Sequence, residues 1–274
     1  METILVSTAG LCVLYFFGPP LITYFTFRVE TEPTFESVAS RADLPEAVQL
    51  QFQQADEDME EIGFQPMETL FLPKLIGNVR SAMAFYLQPE REDFAISVAS
   101  YVRQEDRWKL HSQYTEFSTR TADGRNFGSR NLMGVGAFPV PDHVTNIFLP
   151  GDTTVAKLYA CHEGLTAGAG IHARSPLFFE QYAGVASAYL AHCMREELSY
   201  ALDCGYLKIK SGSKAGDDPN PFKPLADDSS EYYVPTLKGA LLMTWNELWP
   251  VKQLNIWRHR RKSLGLLRQV GKTL

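Results

Sequence analysis

From Thr3 to Phe27 no position is charged, a largely apolar run of 25 residues. About 20 such residues, at 1.5 Å each, cross the hydrocarbon core of a bilayer, so residues 1–28 read as a transmembrane anchor. Arg28 closes the run, and Tyr15, Phe16, Phe17, Tyr24, Phe25 and Phe27 place aromatics near its middle and end. Pro19 and Pro20 sit inside it. Each removes an amide donor and kinks a helix, which membrane helices tolerate when neighbouring groups satisfy the freed carbonyls. A cleaved signal peptide would begin with basic residues and end at a small-residue site. Here Glu2 precedes the run, and nothing like Ala-x-Ala follows Phe27 until Ser37-Val38-Ala39. A buried core helix is the remaining alternative.

Residues 29–42 are polar and read as a linker. Asp43-Leu44-Pro45 then has the cap and first-turn proline of a helix start. Leu44, Val48, Phe52, Ala55, Met59 and Ile62 recur at helical spacing, and Gly63 is a natural stop. The acidic residues Asp56, Glu57, Asp58, Glu60 and Glu61 take the other faces and read as a solvated surface rather than a metal site. Strand patterns follow at about 67–72, 79–88, 93–103, 108–120 and 125–131. In the third, both alternating sets are largely apolar, which marks a central strand. Asp123-Gly124 is a hairpin signal, and the short links between strands imply an antiparallel meander. The proline-containing stretch 137–151 reads as an extended connector. Two helices follow, one capped by Asp152 with Val155, Leu158, Tyr159, His162 and Leu165 on its stripe, the other from about Leu177 to Leu202. A short strand near 206–210 precedes a Gly-, Pro- and Asp-rich loop over 211–230, expected to be mobile.

The predicted architecture is therefore α+β. An N-terminal transmembrane helix precedes a helix packed on an antiparallel meander of 4–5 strands, followed by two or three helices. Residues 43–235 form the soluble domain, and 236–274 form an amphipathic Trp- and Arg-rich helix with a basic tail. In that last part Leu241, Leu242, Trp245, Leu248 and Trp249 share a stripe, Pro250 interrupts it, and Trp257 precedes Arg258-His259-Arg260-Arg261-Lys262. Tryptophan beside Lys and Arg is the composition of a helix lying in a membrane interface, where each cation near an anionic leaflet contributes about 1 kcal/mol. Packing of the tryptophans on the domain, or contact with nucleic acid, are the competing readings.

Composition changes this picture in two places. The chain carries a net charge of −6, but its last 25 residues hold seven basic and no acidic side chains, leaving −13 for residues 1–249. An acidic body with a basic tail suggests two different surfaces to meet. By the positive-inside rule the flanking charges put the body on the cytoplasmic side of an inner or plasma membrane. Of the four cysteines, Cys12 lies in the apolar run. Cys161, Cys193 and Cys204 form no dense framework, as suits a reducing compartment.

No nucleotide-binding, cofactor-binding or catalytic motif of known spacing is present. Cys161-His162 and His192-Cys193, with His172 between them, are candidate zinc ligands if their helices pack together. Adjacent helical residues point about 100° apart, however, so a Cys-His dipeptide rarely serves one metal. A Cys/His nucleophilic pair is a further reading of the same residues, and His162 is the candidate acid or base. Asp123, Arg125, Arg130 and Asn131 could form a polar binding surface, although turn chemistry already accounts for Asp123.

The runs Tyr114-Thr115-Glu116-Phe117-Ser118-Thr119 and Ala122-Asp123-Gly124-Arg125, with Asn131, resemble uncharacterised bacterial single-pass membrane-anchored proteins of unknown function. So do Leu158-Tyr159 with His162, and the run from Gly239 to Trp245 with Trp249-Pro250. The resemblance covers most of the chain. It implies a bacterial origin and a membrane location, and it brings no activity.

The expected function is a membrane-tethered cytoplasmic scaffold or binding domain. It would contact a protein partner or anionic lipid headgroups at the inner leaflet through Trp245, Trp249, Trp257, Arg258, Arg260, Arg261 and Lys262. The alternative is an enzyme acting on a lipid or membrane-associated substrate through His162.

Overall fold

A computed structural model describes residues 2–76, 79–104, 107–132, 136, 138–170, 174–211 and 231–271, without the side chains of 2–13, 73–76, 79, 103, 104 and 107. In chain order the elements are α1 (Glu2–Thr26), β1 (Val29–Glu30), β2 (Glu36–Ser37), α2 (Glu46–Glu61), β3 (Gln65–Ile76), β4 (Val79–Gln88), β5 (Asp93–Gln104), β6 (Arg107–Arg120), β7 (Asn126–Arg130) and β8 (Val144–Phe148). They continue with α3 (Val155–Gly168), α4 (Leu177–Glu180), α5 (Ala186–Asp203), β9 (Leu207–Ser211), β10 (Glu231–Pro235), α6 (Leu237–Trp245) and α7 (Val251–Gln269). The class is α+β, as predicted.

The chain divides into two compact units. One holds residues 1–33, 135–140 and 193–255; the other holds 34–134, 141–192 and 256–274.

The larger unit is built on a seven-stranded sheet in the order β2-β3-β4-β5-β6-β7-β8. Strands β2 to β7 pair antiparallel, as the short links require, while β8 joins β7 in parallel. The stretch expected as a plain connector thus supplies a strand, giving a mixed sheet of seven instead of a meander of four or five. Helix α2 buries Val48, Phe52, Ala55 and Met59 on the predicted stripe. Gly63 ends it at φ +82, where a side chain would be strained. With Tyr159 and Leu165 of α3, and Ala84, Ala95, Ala99 and Phe117 of the sheet, these residues form the main core. Small alanines on the central strands leave room for the large rings on the helices. Phe85 and Phe94 point from the opposite face to Phe178 of α4 and Tyr189 of α5.

Three local expectations change. The cap of α3 is Thr154, whose hydroxyl accepts from the Lys157 amide, and not Asp152. The single helix expected over 177–202 is two, because Ala183 and Gly184 adopt φ +48 and +75, which no helix accommodates. Asp56 is not simply solvated: Arg41 grips its carboxylate with two nitrogens, at 2.5 and 3.2 Å, and the Tyr86 hydroxyl donates to it at 2.8 Å.

The smaller unit is a three-stranded antiparallel sheet, β1-β10-β9, with α1, α6 and the end of α5. Its core joins Phe27 and Val29 to Leu198, Ala201, Leu207 and Tyr233. The expected linker 29–42 is therefore structured: β1 begins three residues after α1 and pairs with β10, and β2 pairs with β3. Two-residue strands have no period for a sequence pattern to reveal. Beyond Ser211, the expected mobile loop lies outside the described residues. Among the described residues no helix is long and apolar enough to cross a membrane.

Candidate functional site

His162 lies on the inner face of α3, where Thr119 of β6 and Ser129 of β7 meet it under Phe117 and Tyr159. Its nitrogens are both engaged: Nε2 is 2.8 Å from Thr119 Oγ1, and Nδ1 is 2.9 Å from Ser129 Oγ. The tautomer follows from the next link. Thr119 donates its one hydroxyl proton to Asp93 Oδ1, so it must accept from His162. Nε2 thus carries the proton, and Nδ1 accepts from Ser129. Tyr159 donates to Asp93 Oδ2 at 3.2 Å, and Arg174 pairs with Oδ1 at 3.1 Å. Arg174 is in turn fixed through the Arg91 carbonyl, and Arg91 pairs with Glu163.

The electrostatics follow from burial. His162 has no exposed surface, and desolvation, with Arg174 nearby, depresses its pKa to about 3. It stays neutral at physiological pH. Burial pushes the Asp93 carboxyl above the ordinary carboxylate range, against the opposing pull of Thr119, Arg174 and Tyr159. Burial and the adjacent Asp93 charge raise the Tyr159 phenol.

The order Asp93–Thr119–His162–Ser129 has the look of a proton relay, but its inner members are closed to substrate. Thr119, Ser129 and His162 are fully buried, whereas a general acid or base must come within about 3 Å of the proton it moves. The network instead ties α3 to three strands, with each polar atom satisfied inside a low-dielectric core.

The candidate metal ligands that are described have other surroundings. Cys161 is buried, Cys193 is half-buried, and His192 lies by Arg120 and Tyr182, while both nitrogens of His162 are occupied. Among the described residues no group of three or more His, Cys, Asp or Glu could hold a metal ion; His172 is outside them. The hairpin residues are taken up locally. The Asp123 carboxylate accepts from Arg125 and Thr121, which lowers its pKa to about 2. Arg130 pairs with Glu116, and Asn131 accepts from the Thr115 amide.

The basic helix is two-faced. Toward the core, Ser263 Oγ accepts the Phe148 amide at 2.9 Å, the His259 ring meets the Phe148 ring, Leu267 is buried in the main core, and Val270 lies against Gly168. These positions recur at spacings of 4, 4 and 3, one helix stripe. Trp257, Arg258, Arg260, Arg261, Lys262 and Arg268 are exposed. Arg261 sits over the Trp257 ring at 5.5 Å. None of the five cations pairs with a carboxylate among the described residues.

Trp245 and Trp249 belong to the smaller unit. Trp245 ends α6 and donates its indole N–H to the Phe16 carbonyl of α1 at 2.8 Å, while Trp249 is 69 % exposed. The helix expected over 236–274 is two: α6 stops at Trp245, which leaves Leu248 and Trp249 of the expected stripe beyond its end, and a new helix starts at Val251.

Sequence reasoning singled out His162 but missed Asp93, Thr119, Ser129 and Arg174. They come from separate elements and show no shared spacing. No family model, curated protein or solved structure matches the chain.

Proposed function

We propose that this chain is a non-enzymatic, membrane-tethered binding domain whose α7 meets anionic headgroups at the inner leaflet of an inner or plasma membrane. The observation that carries this reading is the outer face of α7. One stripe of that helix is fixed in the core, and on the other Trp257 and five cations stand exposed without carboxylate partners. A rigid helix presents its charges without the entropy loss of ordering a tail. The uncharged run from Thr3 to Phe27 would supply the tether as a single-pass anchor, and Arg28 after it favours a cytoplasmic body. A protein partner at the leaflet would use the same surface. Nothing comparable favours an enzyme, since His162 has no accessible surface.

The test is flotation of the full chain with vesicles of rising anionic content. Wild type should partition more strongly as anionic lipid rises, and less strongly as salt rises. Replacing Arg258, Arg260, Arg261 and Lys262 by Gln should weaken partition to anionic vesicles on the order of a thousandfold, at about 1 kcal/mol for each of the four cations. Binding to neutral vesicles should persist. Identical dependence on lipid charge in wild type and variant would refute the proposal.

A further inference from the structure

Proline at position 20 leaves the Phe16 carbonyl without the amide hydrogen that would close its helical turn. In the structure the Trp245 indole N–H supplies the missing donor at 2.8 Å, and the ring meets Phe17 edge-on at 6.1 Å. The pairing is set by topology. Because β10 pairs with β1, α6 starts beside the end of α1 and runs back along it to reach Phe16. The two helices are antiparallel neighbours.

This contact divides the second half of α1 into two faces. Pro20 and Phe27 are buried, with Phe16 and Tyr24 half-buried beside them, on the side that carries the Trp245 contact. Leu14, Phe17, Leu21 and Phe25, at spacings of 3, 4 and 4, form a stripe that is 49 to 67 % exposed. Ile22 widens it, with 64 % exposure. A helix apolar on every side belongs in a core or in lipid, and residues 14–26 of this one are only half covered by protein.

We propose, building on the membrane reading above, that α1 and α6 enter the bilayer side by side. The Leu14–Phe17–Leu21–Phe25 stripe lies against acyl chains, and Trp245 is the positioning residue that completes the backbone at Pro20. Two observations select lipid as the occupant. In water a freed carbonyl is hydrated at little cost, whereas in hydrocarbon it needs a protein donor, and here it has one. At the C-terminal end of α1, Arg28 follows the helix and Lys208 reaches back over the Tyr24 ring, cations of the kind that anchor a helix at anionic headgroups. Lys238 stands over the Tyr206 ring. The tether is then no free stalk: β1 follows α1 directly and holds the unit flush with the surface.

The wild-type chain is reconstituted into vesicles containing a phospholipid with a diazirine in its acyl chain, irradiated, and mapped by fragment mass spectrometry. Label should fall on Leu14, Phe17, Leu21 and Phe25 and spare Phe16, Pro20 and Phe27. A chain that floats with vesicles but carries no label on the stripe overturns this inference and points to a second copy or another protein as the cover. A chain that does not float at all refutes the membrane reading itself. The role of Trp245 is tested by rescue. Trp245→Phe should raise the unfolding constant of the vesicle-bound chain roughly two- to tenfold, the worth of one hydrogen bond. With Pro20→Ala restoring the amide at position 20, the same substitution should cost markedly less. An equal cost in both backgrounds removes the hydrogen bond from the argument and leaves only ring packing.

Discussion

Acid should destabilise the larger unit through His162. The imidazole is neutral in the folded state, with a pKa near 3, and has an ordinary pKa of 6.5 when unfolded. Below pH 6.5 the unfolded chain therefore takes up a proton that the folded chain refuses. Stability that is complete above the unfolded pKa drains away as pH falls, and the loss ends only near the folded pKa. Each pH unit well inside that window costs about 1.4 kcal/mol, so moving from pH 7 to pH 5 should remove about 2 kcal/mol. Asp93 works in the opposite sense. Its raised folded pKa makes the native carboxyl the better proton acceptor, so its term grows more favourable as pH falls toward 3.8. The comparison that isolates His162 is His162→Gln, whose amide keeps one donor and one acceptor at similar separation but does not titrate. Urea unfolding of both chains at pH 7, 6 and 5 supplies the measurement. Gln should cost about 1–2 kcal/mol at pH 7 through imperfect hydrogen bonds, and the gap should shrink or reverse by pH 5. Parallel pH profiles for the two chains would show that the buried imidazole is not the acid-sensitive group.

Three substitutions probe the packing. Ser263→Ala leaves the buried Phe148 amide without its acceptor and should cost about 1–3 kcal/mol in thermal or urea unfolding. Gly239→Ala puts a Cβ onto the Tyr206 carbonyl oxygen, a backbone atom that cannot swing aside, and should cost about 1–3 kcal/mol by the same measurements. Gly265→Ala lies on α7 with nothing within 4 Å of its new methyl and should stabilise by up to about 1 kcal/mol, seen as a raised Tm.

Where a local period governs, the sequence was a sufficient guide. The α2 stripe could be read from helical spacing because one buried face imposes it, and the extents of β4 and β5 from continuous apolar runs, because both faces of these central strands are buried. The misses share a physical origin. Strands β1, β2 and β8 are two to five residues long and owe their state to partners elsewhere in the chain, with Val29 bound to Tyr233 and Glu36 to Phe71. The break before α5 depends on Ala183 at φ +48, a conformation its own side chain gives no reason to expect. The docked face of α7 was hidden for a chemical reason. It runs through His259, Ser263, Leu267 and Val270, half of them polar, so the stripe carries no uniform apolar signal until Phe148 is seen to need an acceptor.

The two candidate sites differ in what a sequence can disclose about them. The His162 network is assembled across the sheet, and its members gain meaning only from proximity: Thr119 fixes the imidazole tautomer because Asp93 has already taken its proton. The contact at Pro20 is half legible, since a proline inside a helix always frees the carbonyl four residues before it. Its partner was not legible, for Trp245 lies 229 residues from Phe16 and is brought there by the pairing of β1 with β10. That pairing also explains why a tryptophan suits the end of α6. A shorter donor would not reach across two helices, and a charged one would add a desolvation cost beside an apolar stripe. The indole offers a single donor, no acceptor left wanting, and a ring that packs on Phe17. Backbone repair and ring packing thus fall to the same residue, which is why the Pro20→Ala background is the decisive place to separate them.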